Sequence, residues 1–217
     1  VASDNVAIGY SAGVQVTTAD NSTFIGSNAG AAITTGASNM AIGSAAMDAA
    51  QTSQDNIAIG AAAMGNINHA NSNENVVIGN YAGDGMGTLD GNANNILIGQ
   101  HCGGGTWTSS ATSSVVAIGH YALDGALNNV DGTVAIGASA LGALTTGASN
   151  LAIGYQAMTA LTTGASNIAI GGNTLDAADG GETGNIAIGD SALGAMDEGG
   201  GNANFNIGIG HAALTGG

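Results

Sequence analysis

The sequence predicts an all-β fold: a parallel β-roll or β-solenoid of about twelve coils, 17–21 residues each, forming one tandem-repeat rod over residues 1–217. Three observations carry this expectation. A short unit built on an Ile-Gly pair recurs twelve times. Large apolar and small residues alternate ahead of that Gly with a period of two. Length variation falls in the polar stretch between units, where insertions leave strand register untouched.

The repeated pairs are Ile8-Gly9, Ile25-Gly26, Ile42-Gly43, Ile59-Gly60, Ile78-Gly79, Ile98-Gly99, Ile118-Gly119, Ile136-Gly137, Ile153-Gly154, Ile170-Gly171, Ile188-Gly189 and Ile209-Gly210. Three positions before each Gly the residue is apolar in every unit except at Thr23, and we write this position φ. Between φ and Ile sits Ala in eight units, with Phe24, Val77, Leu97 and Gly208 as departures. Asn precedes φ in nine units, and Ala follows the Gly by three positions in ten, replaced by Cys102 and Thr174.

Each element has a physical reason. Ile and Val suit a pleated surface, and the clusters are too short and too Gly-punctuated for helices. A Gly in every unit suits a backbone turn at positive φ or a very close approach of two backbones. Asn ahead of the strand can bond local backbone and start the turn, and stacked Asn residues can form a ladder. Alternation gives each strand a large face, of Ile and φ, and a small Ala face. A thin coil can bury only one of them, so we expect the large face inside and the Ala faces of three chains packed together.

Composition narrows the function. With no Lys or Arg and a formal net charge of −15, the chain cannot neutralise phosphates, and nucleic-acid binding is excluded. Anionic membrane surfaces repel it, and no apolar run approaches the ~18 residues of a membrane span. One Cys rules out an intrachain disulfide framework. Acids avoid the strand positions: Asp48, Asp84, Asp124 and Asp176 sit five after the Gly, and Asp4, Asp55 and Glu74 five before it. They are expected on the rim, as a solubility device. Val1 opens the chain without a signal-like segment, and the unit starts at once, so a segment of a longer fibre is expected.

The segments Asn-Val-Ala-Ile-Gly-Tyr-Ser-Ala (5–12), Asn-Leu-Ala-Ile-Gly-Tyr-Gln-Ala (150–157) and Asn-Ile-Ala-Ile-Gly-Asp-Ser-Ala (185–192) resemble head repeats of trimeric autotransporter adhesins. The Thr-Thr-Gly-Ala-Ser-Asn-φ-Ala-Ile-Gly blocks (34–43, 145–154, 162–171) look like repeats of bacteriophage tail fibres. The resemblance spans essentially the whole chain, although adhesin heads use shorter coils. It implies a left-handed parallel β-roll, a homotrimer, and an extracellular adhesive or spacer rod on a virion tail or cell surface.

A few side chains are candidates for chemistry. His101 and His120 follow the Gly in adjacent coils, which raises a metal site under threefold symmetry; their offsets differ by one, which favours exposed turn histidines for them and for His69 and His211. Cys102 replaces the recurrent Ala and is expected in a small buried slot, since nothing marks a base or oxyanion site beside it. Tyr10, Tyr81, Tyr121 and Tyr155 can meet a glycan or fill a groove between chains, the latter favoured, and Trp107 lies in the most divergent loop. For calcium the candidate ligands are Asp179, Glu182, Asp197 and Glu198, in the two dense acidic turns, but the calcium-binding Gly-Gly-x-Gly-x-Asp pattern is absent. No catalytic residue and no cofactor is expected. An acyltransferase hexapeptide code fails at Asp48, and a stacked Thr-x-Thr ice-binding row appears once, at 106–108. The expected function is a structural or adhesive fibre segment. The alternatives are a filament subunit stacking end to end and a glycan- or ice-binding solenoid.

Overall fold

Every φ-x-Ile triplet is a three-residue strand. In the computed structural model, which describes residues 1–67, 71–87, 91–108, 111–196 and 203–215, these are β1 (Val6–Ile8), β2 (Thr23–Ile25), β3 (Met40–Ile42), β4 (Ile57–Ile59), β5 (Val76–Ile78), β6 (Ile96–Ile98), β7 (Val116–Ile118), β8 (Val134–Ile136), β9 (Leu151–Ile153), β10 (Ile168–Ile170), β11 (Ile186–Ile188) and β12 (Ile207–Ile209). They form one parallel sheet in strict sequence order, each strand paired only with its neighbours in the chain. Register is equivalent throughout: φ lies on φ, and Ile8 on Ile25 and onward to Ile188 on Ile209. This is a β-solenoid. A single 3-10 turn, Asp84–Met86, is the one helical element among the described residues.

The coil is inside out relative to the expectation from alternation. Strand centres point inward: Ala41, Ala58, Ala117, Ala135, Ala152, Ala169 and Ala187 are fully buried, as are Phe24, Val77 and Leu97. Ile and φ point outward. The reason is volume. Facing the strand across the coil are the Ala three after the Gly and a Met or Leu four after it, such as Met47, Met64, Leu123, Leu141, Met158, Leu175 and Leu193, all buried. A third apolar row lies seven after the Gly (Ile33, Ile67, Met86, Leu144, Leu161). With those rows in place, the interior has room on the strand side mostly for a methyl group.

Backbone conformation makes this possible. The residues five before, two after and four after each Gly are left-handed in every coil; in the third, they are Ser38, Ala45 and Met47, with φ of 58°, 55° and 50°. Left-handed Met or Leu costs ~1–2 kcal/mol, which burying the same side chain, worth ~1.5–3 kcal/mol, offsets. The repeat Gly has φ between 124° and 145° in all twelve coils. A Cβ on Gly43 would collide with the carbonyl of Gly60, so the position answers to both sequence-level reasons at once.

The Asn ladder runs along the corner before the strand. The backbone N–H and Nδ2 of Asn56 both donate to Asn39 Oδ1, at 3.1 and 3.3 Å. Asn56 Nδ2 also donates to Ser72 O (3.0 Å) in the following coil. Asn75, Asn95, Asn167, Asn185 and Asn206 repeat the inter-Asn pair. Ser22 keeps the rung without Asn, its N–H donating to Asn5 Oδ1 (2.9 Å) and its Oγ accepting the Asn39 N–H (3.1 Å). The ladder breaks at Val115 and Thr133, and Thr133 Oγ1 is buried without a partner.

Candidate functional site

The outward face of the sheet runs the whole length of the strand stack. Its two rows, φ from Val6 to Ile207 and Ile from Ile8 to Ile209, hold 24 side chains, none of them buried and none acidic. Twelve strands at ~4.8 Å spacing and three residues at ~3.3 Å rise make a strip of roughly 500 Å². That matches the largest apolar patches of ordinary monomers, which commonly mark interaction sites. Acids border the strip without entering it: Asp4, Asp55 and Glu74 on the Asn side, Asp190 on the Gly side.

A second feature is polar and local. The residue two after the Gly is Tyr81, His101 and Tyr121 in three successive coils. In-register stacking places the Tyr81 and His101 rings 5.1 Å apart at 8°, and the His101 and Tyr121 rings 5.1 Å apart at 11°. His120 meets Tyr121 edge-on at 4.1 Å. Both histidines therefore lie at the surface in adjacent rows, His120 exposed and His101 half-buried. His211 is exposed, 3.8 Å from Asp190 Oδ2. The ladder escaped the reading by residue type because its members differ; counting positions from the Gly finds it.

Acids behave in two ways. Burial pushes the carboxyls of Asp48, Asp84, Asp124 and Asp176 above their ordinary range. His101 opposes this at Asp84 and Asp124, and backbone N–H groups of Gly104 and Gly105 oppose it at Asp124. Asn66 Nδ2 donates to Asp84 Oδ1 at 3.0 Å. Glu182 does not sit on the rim: it is buried, on the inner row seven before the Gly, and its Oε2 accepts the Gly180 N–H at 3.0 Å. The inner row dictates this, because its side chains lie beneath the Asn ladder; the Glu182 carbonyl accepts Asn167 Nδ2 at 2.7 Å.

The calcium candidates divide. Asp179 is exposed and Glu182 buried, while Asp197 and Glu198, like His69, lie outside the described residues. Among the described residues no group of three or more His, Cys, Asp or Glu side chains converges as a metal site would. Cys102 fills its slot as expected: it is fully buried, its Sγ lies 3.1 Å from Ala117 O, and burial pushes the thiol up to about 12. Trp107 wedges into the core, its Nε1–H donating to Gly103 O at 3.0 Å. Tyr10 and Tyr155 are exposed and lie one residue after the Gly, beside the apolar strip. No helix among the described residues is long and apolar enough to cross a membrane. Compared with protein-family models, curated proteins and solved structures, the chain matches none.

Proposed function

We propose that the chain is a structural and adhesive fibre segment, in which three copies of a left-handed coil stand side by side with their Ile and φ faces turned inward. The observation that carries this reading is the acid-free apolar strip along a rod of net charge −15. Copies of so acidic a chain repel one another, and the strip is where they can meet with least repulsion and most apolar burial. Three faces of roughly 500 Å² bury on the order of 1,500 Å² in the trimer, about 500 Å² for each pair of chains, so the assembly depends on all three seams closing together. Such a rod is stiff and extended, because each coil touches only its neighbours. It holds a receptor-binding surface away from a virion or cell, outside the cell. No catalytic arrangement is part of this reading.

The native mass tests it. Size exclusion with light scattering is expected to give about 61.5 kDa, three times the 20.5 kDa of one chain. Ile98→Asp with Ile136→Asp, both on the outward face, is expected to break the assembly while leaving the circular dichroism of the coil in place. A stable monomer in the unaltered protein overturns the trimer.

One observation favours a second reading. The outward rows repeat in register once per coil, with no acid among them. A rigid, regularly spaced face of this kind also suits adsorption to an ordered solid such as ice. A monomer that shows thermal hysteresis, lost in the same double variant, selects this reading over the trimer.

A further inference from the structure

We infer that the aromatic ladder of the fifth to seventh coils is a binding site for a neutral, extended polysaccharide lying along the rod axis. The inference deepens the adhesive part of the proposed function and rests on it.

The ladder falls where the coil departs from its repeat in several ways together. Spacing widens to 19, 20 and 20 residues at Gly79, Gly99 and Gly119. Strand centres enlarge from Ala to Val77 and Leu97, and Trp107 enters the core behind them. On the outside, Tyr81, His101 and Tyr121 stack at 5.1 Å, and Asn80, Gln100 and His120 run beside them, all three exposed. Asn80 Oδ1 is engaged by the Ala61 N–H at 2.9 Å, which fixes that amide in place. Two parallel files of three groups result, each coil presenting an aromatic or imidazole ring and a hydrogen-bonding side chain.

The repeat distance selects the ligand. An extended, equatorially linked glycan advances by about one coil's rise per sugar and turns over at each link, so alternate sugars meet equivalent groups every second coil and the chain stays in step with the ladder. An extended peptide presents same-side groups every ~6.6–6.8 Å and falls out of step with the ladder. Sugars combine apolar C–H faces with hydroxyls that both donate and accept, which suits Tyr, His and amide side chains. With no Lys or Arg in the chain and Asp84 and Asp124 close to His101, an anionic glycan is repelled.

The test is retention of the purified full chain on insoluble cellulose, chitin and mannan, with immobilised heparin as the anionic comparison. Retention on at least one neutral polymer is expected, weakened roughly tenfold or more in Tyr81→Ala/Tyr121→Ala and unchanged in Tyr10→Ala/Tyr155→Ala. All four rings are exposed, so the native mass and circular dichroism of both variants are expected to match the parent. That separates loss of the glycan site from loss of assembly. Retention on none of the neutral polymers, retention on heparin alone, or equal retention of Tyr81→Ala/Tyr121→Ala overturns the inference.

Discussion

The ring of Phe24 occupies the space that a side chain at Gly30 would need. Phe24 stands at a strand centre where most coils carry Ala, and Gly30 stands four after the repeat Gly where most carry Met or Leu. A Cβ on Gly30 would collide with the Phe24 ring, and one on Gly103 would come 2.9 Å from Leu97 Cδ1. Val77 and Gly83 form the same kind of pair, at 3.3 Å. From the second coil onward each coil thus receives one large side chain, from the strand or from the facing turn. The first has Ala7 and Gly13, and the Phe24 ring lies 2.8 Å from where a Gly13 Cβ would stand.

This pairing predicts a compensating exchange. Phe24→Ala alone is expected to cost ~3–5 kcal/mol through the cavity it leaves. Gly30→Met alone overpacks the coil, at a cost of ~1–3 kcal/mol. The double variant reproduces the Ala41 and Met47 arrangement of the next coil and is expected to recover most of the loss. Denaturant unfolding of the four proteins measures the coupling; additive losses would refute it.

The Asn ladder should be strongest in its middle. Asn75→Ala removes the Oδ1 that accepts from the Asn95 N–H and Nδ2, and the Nδ2 that donates to the Asn92 carbonyl. With ~1–3 kcal/mol for each buried unsatisfied group, a loss of about 3 kcal/mol is expected. Asn206→Ala, at a half-exposed rung, should cost about 1 kcal/mol. Thr133→Asn, at a break in the ladder where Oγ1 is unpaired, is expected to raise stability by about 1 kcal/mol. Thermal melts of the three variants check the order.

Acid should stabilise this rod before it harms it. Burial raises the carboxyls of Asp48, Asp84, Asp124 and Asp176 above the ordinary value of 3.8. A raised folded-state value means that the folded form holds the proton more tightly than the unfolded chain. The resulting stability is therefore full below 3.8 and lost as pH rises through the raised values. The melting temperature is expected to climb as pH falls from 7 towards 4. Asp124→Asn should raise it at pH 7 and flatten the slope. A melting temperature that falls steadily over that range would contradict the assignment.

Cys102 should be silent while the coil is folded. Its thiol is fully buried and pushed up to about 12, so at pH 8 very little thiolate is present. Thiol-specific reagents are expected to label it only after unfolding, at a rate set by opening. Cys102→Ala restores the residue found at ten equivalent positions and should change stability by less than ~1 kcal/mol.

Much of this architecture was legible in the chain. The Ile-Gly repeat located every strand, the Gly positions announced the close backbone contact, and the recurrent Asn announced the ladder, because each depends on local chemistry repeated at fixed spacing. Alternation in two also showed that Ala and Ile face opposite ways. It did not show which way is in: that depends on the room left by Met47, Leu123 and Leu193 arriving from the facing turn, a distance between segments rather than a property of either. The left-handed residues were equally hidden, since Tyr81, Met47 and Leu141 are not residue types that favour that conformation, and only burial and coil closure hold them there. The aromatic ladder and the apolar strip likewise arise from register, which stacks Tyr81, His101 and Tyr121 across coils about 20 residues apart. The sequence by itself determined the unit and its repetition; the tertiary structure decided the inside, the outside and what meets solvent, because those follow from packing volume between segments distant in the chain.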